Sequence, residues 1–418
     1  MFRNIKGTKD ILPTESYKWQ YIEKVLIENF SRFNYKEIRT PIFEQTSLFA
    51  RSIGEATDIV GKEMYTFQDR SLDSLTLKPE GTASVVRAFI QNNLGEAQQL
   101  TKLFYISPMF RQERPQAGRL RQFHQFGAET LGSPNPIVDA DIIALAVSIY
   151  KSFEIENFNL EINSVGCPTC RHDYKTELQK NLVSISEKLS PESRTRIMKN
   201  PMRVLDSKIE SDIEATKNMP SILNFLCVEC QNHFEELKNL LELLNLKFKI
   251  NSRLVRGLDY YTRTAFEITS SLLGSQDALA GGGRYDLLST ELGGKHTPSV
   301  GFAAGIERLL MVLEKTKFSH FPLNTPQIYL IATNDEARNF CFKTTFDLRL
   351  NGISAECDFL NRSIKSQMRD ADKQKVKLVS VIGDDELKTK SLKIKNMSDG
   401  KETHTTFTAL ENFLKKLK

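Results

Sequence analysis

The stretch from Leu103 to Leu131 restricts the fold of this 418-residue chain more than any other segment. Its flanks, LFYISPMF and RQFHQFGAETL, are rich in aromatic residues, and the polar segment between them, RQERPQAGRL, contains Pro115 and Gly118. Aromatic flanks around such a segment predict two strands joined by a turn. The chain is therefore expected to contain a β-sheet with a polar connection at this point.

Arginines are concentrated in that connection. Alternation along paired strands predicts that Arg111 and Glu113 share one face, and that Arg119 and Arg121 share one. Guanidinium groups on a rigid sheet suit a planar anion, because they hold phosphates bidentately while the ring of Phe123 stacks on a base. An exposed Arg–Glu surface explains the residues equally well. The sequence contains neither GxxxxGK[ST] nor GxGxxG, which argues against the nucleotide-binding folds that use those loops.

A second candidate region combines tyrosines with glycines. LVRGLDYYTRTAFEI (254–268) places Tyr260 and Tyr261 near Arg256, and AGGGRYDLL (280–288) follows it. Three consecutive glycines allow a ligand to approach the backbone closely. Taken alone, a glycine turn beside core tyrosines is the simpler explanation.

Two further segments each lead into a predicted helix. SVGFAAGIERLL (299–310) carries Arg308, and KPEGTASVVRA (78–88) carries Glu80 and Thr82. Glu80 suits a ligand ammonium group, and Thr82 suits a helix N-cap. Without other information, an ordinary helix is the simpler interpretation of each segment.

Hydrophobic periodicity divides the chain into regions. Apolar spacing predicts helices over 15–33 and 139–153 and in GIERLLMVLEK. Charged helical patterns between about 167 and 250 suggest an inserted subdomain. Beyond a Pro-containing linker at 318–326, strands alternate with helices, which predicts an α/β module.

The positive charge of the chain lies mainly in that last module. From Thr325 to Lys418 there are 17 Lys and Arg against 13 Asp and Glu, which accounts for most of the formal net charge of +5. Such an excess suits a module that faces a polyanion, although a solvated lysine-rich surface explains it too.

Composition excludes several classes of protein. No apolar run reaches the roughly 18 residues needed to cross a bilayer, and the N-terminus, MFRNIKGTKDILP, has no apolar signal region. Six cysteines are too few for a disulfide scaffold. We therefore expect a cytoplasmic protein without a membrane partner.

Together and in this order, the segments resemble class II aminoacyl-tRNA synthetases, and among them the histidyl-tRNA synthetases. YKEIRTPIFE, with Pro41, resembles motif 1, FRQERPQAGRLRQFHQFGAE resembles motif 2, and GFAAGIERLL resembles motif 3. LVRGLDYYTRTAFEI and GGGRYDLL resemble the two peptides peculiar to the histidine enzymes. Leu287 and Leu120 depart from residues common in the family, where glycine and tyrosine are usual.

The resemblance implies an α+β fold. An antiparallel-sheet class II catalytic domain would occupy 1–320, with the helical insertion at about 167–250, and an α/β anticodon-binding domain would occupy 325–418. It also implies a homodimer, through motif 1.

The implied activity is that of a histidine–tRNA ligase. Such an enzyme uses ATP and Mg²⁺ to convert L-histidine to histidyl-adenylate, and then transfers the histidyl group to the 3′ end of tRNA(His). The tail module would bind the anticodon, which gives its positive charge a purpose.

The resemblance also assigns roles to individual residues. Arg256 and Arg111 would be catalytic, both at the α-phosphate. ATP would be bound by Arg111, Glu113, Arg119, Phe123 and Arg308. Histidine would be bound by Glu80, Thr82, Arg111, Gln125, Glu129, Arg256, Tyr260 and Tyr261. Arg114 and Gln116 would contact the tRNA acceptor end.

Three other classes of protein share some of these features. A non-catalytic paralogue that binds histidine and regulates another enzyme usually lacks the ATP contacts or the tail module, both of which this chain has. A zinc-dependent RNA-binding protein leaves the pocket residues unexplained. A class II ligase for another amino acid is disfavoured by LVRGLDYYTRT.

Four cysteines form two CxxC pairs, CPTC (Cys167, Cys170) and CVEC (Cys227, Cys230). This pattern is typical of a four-cysteine zinc site. The separation of the pairs is long for a zinc ribbon, and the resemblance does not require zinc. A structural Zn²⁺ site and four reduced thiols therefore both remain open.

Overall fold

A computed structural model describes residues 2–53, 57, 59–116, 118–274, 277–322 and 325–417. The contacts within the chain divide it into two compact units, an N-terminal unit (Met1–Phe321) and a C-terminal unit (Pro322–Lys418).

The N-terminal unit contains two sheets. Its strands are β1 (Lys36–Glu37), β2 (Phe43–Gln45), β3 (Tyr65–Gln68), β4 (Ser74–Leu77), β5 (Thr101–Phe110), β6 (Gln122–Leu131), β7 (Asn159–Ser164), β8 (Lys249–Ile250), β9 (Thr262–Thr269), β10 (Ala278–Arg284) and β11 (Ser299–Gly305). The larger sheet has eight strands in the order β1-β5-β6-β11-β10-β9-β7-β8. Only its outermost pairs, β1 with β5 and β7 with β8, are parallel. The smaller sheet has the order β2-β4-β3 and is antiparallel.

Helices cover the larger sheet and occupy most of the chain between β7 and β8. They are α1 (Pro13–Arg32), α2 (Thr46–Ile53), α3 (Thr82–Gln91), α4 (Leu94–Ala97), α5 (Pro136–Ser152), α6 (Pro168–Ser184), α7 (Pro191–Lys199), α8 (Glu210–Ala215), α9 (Val228–Leu243), α10 (Leu288–Glu291) and α11 (Ile306–Lys315). Helix α5 is buried on most sides and packs with sheet residues such as Phe126, Phe266 and Phe302. A second apolar cluster includes Tyr105, Tyr260 and Tyr261 together with apolar residues of α3 and α6.

The C-terminal unit is a five-stranded mixed sheet with helices. Its elements are β12 (Ile328–Ala332), α12 (Asp335–Leu350), β13 (Ala355–Cys357), α13 (Ile364–Lys373), β14 (Leu378–Ile382), α14 (Asp384–Thr389), β15 (Ser391–Asn396), β16 (Glu402–Thr406) and α15 (Leu410–Lys416). β13, β12 and β14 are parallel neighbours, and β15 and β16 continue the sheet antiparallel. The predicted alternation of strands and helices is confirmed.

The predicted strand pair is confirmed, but its arginines lie outside the strands. β5 ends at Phe110 and β6 begins at Gln122, so residues 111–121 form the connection between them. Strand alternation therefore applies neither to Arg111 and Glu113 nor to Arg119 and Arg121. Arg119 lines the cavity described below and Arg121 does not, so the prediction that these two share a face is wrong. The ends of α5 also differ from the expected helix. It begins at Pro136, because Asn135 accepts a hydrogen bond from Ile137 N at 2.9 Å and acts as its N-cap.

A buried ion pair joins α5 to β10. The Arg284 guanidinium, which is 0% exposed, donates through Nε to Asp139 Oδ1 at 3.1 Å and also contacts Asp139 Oδ2 and Asp286. Both charged groups are removed from water, so neither tolerates loss of the other. Arg284 belongs to the GGGRYDLL segment, and its role is in the core.

Replacing Asp139 with Ala is expected to destabilise the N-terminal unit by about 3 kcal/mol, because it leaves the Arg284 charge buried with one fewer partner. The control is Asp141→Ala on the same helix, which removes a partly exposed pair with Lys102 and should cost less than about 1 kcal/mol. Urea unfolding monitored by the fluorescence of Trp19, the single tryptophan and part of the same core, measures both. Equal losses in the two variants would contradict the argument.

Candidate active site

A cavity of about 400 Å³ opens above the antiparallel sheet of the N-terminal unit. Eleven of the residues predicted for ATP or histidine line it, namely Glu80, Thr82, Arg111, Glu113, Arg119, Phe123, Gln125, Arg256, Tyr260, Tyr261 and Arg308. They come from stretches separated by more than 200 positions in the sequence. We call this space the arginine cavity.

Five arginines line the cavity, and each of the four that the sequence predicted for ATP or histidine is anchored by a different partner. Arg111 donates through Nε to the carbonyl of Pro79 at 2.9 Å, and its guanidinium lies 5.3 Å from the centre of the Phe123 ring. Arg119 Nη1 lies 3.3 Å from Glu113 Oε2. Each guanidinium group is therefore held in place and retains further donors that can face a ligand.

The other two predicted arginines are bound to residues of β9 and β10. Arg256 donates through Nη1 to Glu267 Oε1 at 2.6 Å, and Arg308 donates through Nη1 to the carbonyl of Ala278 at 2.6 Å. Burial lowers the pKa of Arg308, and the nearby positive charge of Arg119 lowers it further. Burial acts on the pKa of Arg256 in the same direction, but Tyr261 and Glu267 outweigh it, and the pKa is raised.

Two buried polar atoms that line the cavity have no hydrogen-bond partner among the described residues. They are Arg256 Nε and Gln125 Oε1. Buried polar atoms are nearly always paired in folded proteins, and an exception calls for a specific explanation. A donor and an acceptor without protein partners, on two residues that line the same cavity, fit the recognition of a polar ligand.

Glu129 lies beneath the cavity rather than on its wall, and it is fully buried. Its Oε1 accepts a hydrogen bond from Thr82 Oγ1 at 2.7 Å, and its Oε2 accepts one from the Tyr285 hydroxyl. Burial raises the pKa of Glu129 from its ordinary value of 4.5 to about 8, although both hydrogen bonds act in the opposite direction. Tyr285 also packs against Tyr260, with ring centres 5.6 Å apart.

Glu80 caps α3 with its side chain from the residue before the N-cap, Gly81. Its two carboxylate oxygens accept hydrogen bonds from the backbone N–H groups of Thr82 and Ala83, at 2.7 and 2.8 Å. The prediction of Thr82 as the N-cap of α3 is wrong, because Thr82 is already inside the helix and its hydroxyl is directed to Glu129. Burial raises the pKa of Glu80.

Two glycines of the sheet leave room for charged side chains. A Cβ at Gly281 would lie 2.0 Å from Arg256 Nη2, and a Cβ at Gly301 would lie 1.6 Å from Glu129 Oε2. Gly281 is paired with Glu267 on β9, and Gly301 with Glu129 on β6. Both glycines lie in segments that the sequence analysis had selected.

The connection between β5 and β6 brings some predicted residues to the cavity and not others. Arg121 does not line the cavity, and its Nη1 lies 3.5 Å from the carbonyl of Lys6. Arg114 and Gln116 are exposed and also lie outside the cavity lining. Leu120, one of the two departures from the family pattern, is part of the lining.

The sequence analysis missed two residues that hold the site together. Glu267 binds Arg256, and Tyr285 binds Glu129. Both lie inside the quoted segments, in TAFEI and GGGRYDLL. A search of these segments for a partner to each proposed charged residue could have found them.

The four CxxC cysteines come together elsewhere in the N-terminal unit. Their Sγ atoms all lie within 4.8 Å of one another. Cys167 and Cys227 are the N-caps of α6 and α9, and Cys170 and Cys230 lie in the first turns of these helices. Among the described residues, no helix has the length and apolar composition needed to cross a membrane.

Comparison with known proteins identifies the family. A model of the family "Histidyl-tRNA synthetase" matches residues 7–309. The chain belongs to the histidyl-tRNA synthetase family. A second model, "Anticodon binding domain", matches residues 327–417.

Individual relatives cover the whole chain. A histidine–tRNA ligase from Halothermothrix orenii is 50% identical over 413 residues, which are 99% of this chain and 98% of the relative. The crystal structure of apo histidyl-tRNA synthetase from S. aureus has a TM-score of 0.85 at 39% identity, covering 99% of this chain and 100% of that one. The predicted α+β class II fold and the predicted function as a histidine–tRNA ligase are confirmed.

A third relative shares the fold at lower identity. A Bacillus halodurans structure described as an ATP phosphoribosyltransferase regulatory subunit/histidyl-tRNA synthetase has a TM-score of 0.63 at 22% identity. It covers 88% of this chain and 96% of its own. At that identity the likeness concerns the fold alone.

Replacing Gly281 with Ala should inactivate the histidyl-tRNA synthetase site without unfolding the chain. The new Cβ displaces the end of the Arg256 side chain, which is flexible, rather than backbone. We expect ATP–pyrophosphate exchange to fall by about 10² or more, as for a lost transition-state contact, with an unchanged urea midpoint. Gly61→Ala is the control, because nothing lies within 4 Å of its Cβ position. Full exchange in Gly281→Ala would contradict this reasoning.

The raised pKa of Glu129 makes the stability of the wild type depend on pH. Between 4.5 and about 8 the folded state keeps a proton that the unfolded state has lost, so stability falls as pH rises through this range, by at most about 1.4 kcal/mol per unit. Glu129→Gln lacks this pH-dependent contribution to the free energy of unfolding. The stability of the variant minus that of the wild type should therefore increase from pH 6 to pH 8.5. The exposed Glu210→Gln is the control for unfolding at both pH values. If the free energy of unfolding changes equally with pH in Glu129→Gln and in wild type, the pKa of Glu129 is not raised in the folded state.

Proposed function

We propose that the arginine cavity activates L-histidine with ATP and then transfers the histidyl group to tRNA(His). The observation that carries this proposal is the convergence of Arg111, Arg256 and Arg308 on one cavity that also contains Tyr260 and Tyr261. Guanidinium groups from separate segments suit a triphosphate, and the adjoining tyrosines and amide suit a polar aromatic side chain.

In the first step, a histidine carboxylate oxygen attacks the α-phosphorus of ATP. A new O–P bond forms, the bond to the β-phosphate oxygen breaks, and pyrophosphate leaves. Both reactants are anions, and negative charge increases on the α-phosphate. We assign Arg111 and Arg256 to this phosphate, where fixed guanidinium groups stabilise the charge without reorganising.

The remaining cavity residues hold the rest of ATP. Arg119 and Arg308 face the departing phosphates, Glu113 accepts a hydrogen bond from the adenine edge, and Phe123 stacks on the ring. Mg²⁺ shields the charge of the triphosphate when it is bound. In the described part of the chain, the only cluster of three or more metal-type ligands is the cysteine group, so Mg²⁺ is expected to use phosphate oxygens and water, as it commonly does.

Selection of histidine requires hydrogen bonds to both of its ring nitrogens. We assign Glu129, Gln125, Tyr260 and Tyr261 to this task, and Glu80 and Thr82 to the amino group. Gln125 lines the cavity and its Oε1 has no partner among the described residues, which supports its assignment. Glu129 does not line the cavity, and its assignment rests on the family resemblance. A site built to hydrogen-bond its substrate rejects analogues that lack those groups by about 10⁴–10⁵.

In the second step, a terminal ribose hydroxyl of tRNA attacks the adenylate carbonyl, and AMP leaves. Arg114 and Gln116 are exposed beside the cavity-lining residues of the same connection, and we assign them to the acceptor end. Residues 1–320 would form the catalytic domain, with the insertion at about 167–250, and residues 325–418 the anticodon-binding domain. With tRNA as its substrate, the enzyme would act in the cytoplasm.

We also propose that the enzyme is a homodimer. The smaller sheet exposes an aromatic pair, Phe43 and Phe67, with ring centres 6.5 Å apart, and Ile42 beside it. Two of these residues lie in the segment that resembles motif 1. A second copy of the chain that covers this sheet would remove the apolar side chains from water.

The proposal is tested by ATP–pyrophosphate exchange with each amino acid in turn, and we expect exchange with histidine only. Arg256→Ala should reduce it by about 10²–10³, because a fixed charge is lost at the α-phosphate. Arg70→Ala, which removes an exposed arginine, is the control and should change exchange little. Exchange with another amino acid would refute the substrate assignment, and full activity in Arg256→Ala would refute the role of Arg256. Histidine binding without exchange would favour the regulatory paralogue.

A further inference from the structure

Four cysteines that the proposed reaction does not use form a compact group. The Sγ atoms of Cys167, Cys170, Cys227 and Cys230 lie within 4.8 Å of one another, and those of Cys167 and Cys170 are 3.5 Å apart. Four thiolates around a tetrahedral Zn²⁺, with Zn–S bonds of about 2.3 Å, stand about 3.8 Å apart. The observed spacing therefore differs from a zinc site by about 1 Å at most.

The backbone around the cysteines is arranged as a metal-binding turn requires. Gly166 has a φ of +66°, and a Cβ there would lie 2.6 Å from the Cys170 Cβ. The N–H of Cys227 donates to Cys170 Sγ at 3.1 Å. α6 and α9 both begin at the cysteine pairs, so the positive ends of two helix dipoles face the sulfur atoms and favour thiolates.

We propose that these four cysteines bind one structural Zn²⁺. Each thiol would lose its proton to solvent as the metal binds, and no electron transfer is involved. Four protein ligands leave no open position for substrate or water, which is the arrangement of structural rather than catalytic zinc.

The proposed zinc site is linked to the wall of the arginine cavity. Arg171, the residue after Cys170, donates through Nη1 to the carbonyl of Tyr261 at 3.0 Å. The turn before Cys167 is bonded to the start of β9, because Arg263 N donates to the carbonyl of Gly166 at 2.9 Å. Zinc would thus hold the turn in place, and Arg171, through its hydrogen bond to the carbonyl of Tyr261, would act as the positioning residue for that tyrosine. This consequence rests on the proposed role of Tyr261 in histidine binding.

Metal analysis of the full-length protein tests the site without reference to activity. After passage over a chelating resin, the wild type should retain about one zinc per chain, and Cys167→Ser/Cys227→Ser should retain almost none. Cys341→Ala, a buried cysteine of the C-terminal unit, is the matched control and should retain zinc.

Cobalt replacement in the wild type decides the question even where the cysteine variant does not fold. Four thiolates should produce a sulfur-to-cobalt charge-transfer band and the intense visible bands of tetrahedral cobalt. A wild type without zinc and without these bands would overturn the proposal, whether its cysteines react as free thiols or are joined in disulfides.

The link to the cavity is tested with zinc-depleted wild type and with Arg171→Met. Both should raise KM for histidine in the exchange assay by about tenfold, the effect of one or two lost hydrogen bonds, with little change in KM for ATP. Added zinc should restore the KM for histidine of the depleted enzyme but not that of Arg171→Met. Lys180→Met, an exposed change on the same helix, is the control and should match wild type.

An unchanged KM for histidine in both altered proteins would overturn the link. Absence of exchange in every form would refute the proposed function, while the zinc content would still decide the site.

Discussion

Repulsion between guanidinium groups is the constraint around which the arginine cavity is built. Arg111, Arg119, Arg256 and Arg308 face one space of about 400 Å³, and the lowered pKa of Arg308 reflects burial and the charge of Arg119. Without a bound anion, the fold must compensate these charges itself. It does so with Glu113, with Glu267 and with backbone carbonyls, so each arginine is held in place before any ligand arrives. A bound triphosphate then meets charges that do not need to reorganise.

The antiparallel sheet makes this crowding possible because its central strands carry glycine where charged side chains must lie. Glu129 is directly opposite Gly301, and Glu267 is directly opposite Gly281. With a Cβ at either glycine, Glu129 or Arg256 would have to move. The need for this space explains why a glycine-rich strand occurs in the middle of the sheet, although glycine usually weakens a strand.

The sequence was sufficient to predict which segments form the site, but not how side chains pair within it. Aromatic flanks and alternation predicted β5 and β6 correctly, since those signals are local. The faces of Arg119 and Arg121 were predicted wrongly because the strands stop before them, and turn conformation is not encoded by a period of two. The capping role of Glu80 and the pairing of Tyr285 with Glu129, 156 positions apart, depend on tertiary contacts. The closeness of the two CxxC pairs has the same origin.

The chain between β7 and β8 contacts the wall of the cavity that carries Arg256 and Tyr261. Arg171 binds the carbonyl of Tyr261, Asn200 binds Asp259 at 3.0 Å, and Arg203 Nη1 lies 3.5 Å from the carbonyl of Arg256. All three contacts reach the segment that carries the proposed histidine pocket. The proposed ATP contacts Glu113 and Arg119 lie instead in the connection between β5 and β6, and Phe123 lies at the start of β6. A change between β7 and β8 would therefore act first on Tyr261 and on Arg256, the proposed contact to the α-phosphate. The residues proposed to hold the adenine and the departing phosphates on the β5–β6 side would keep their own support.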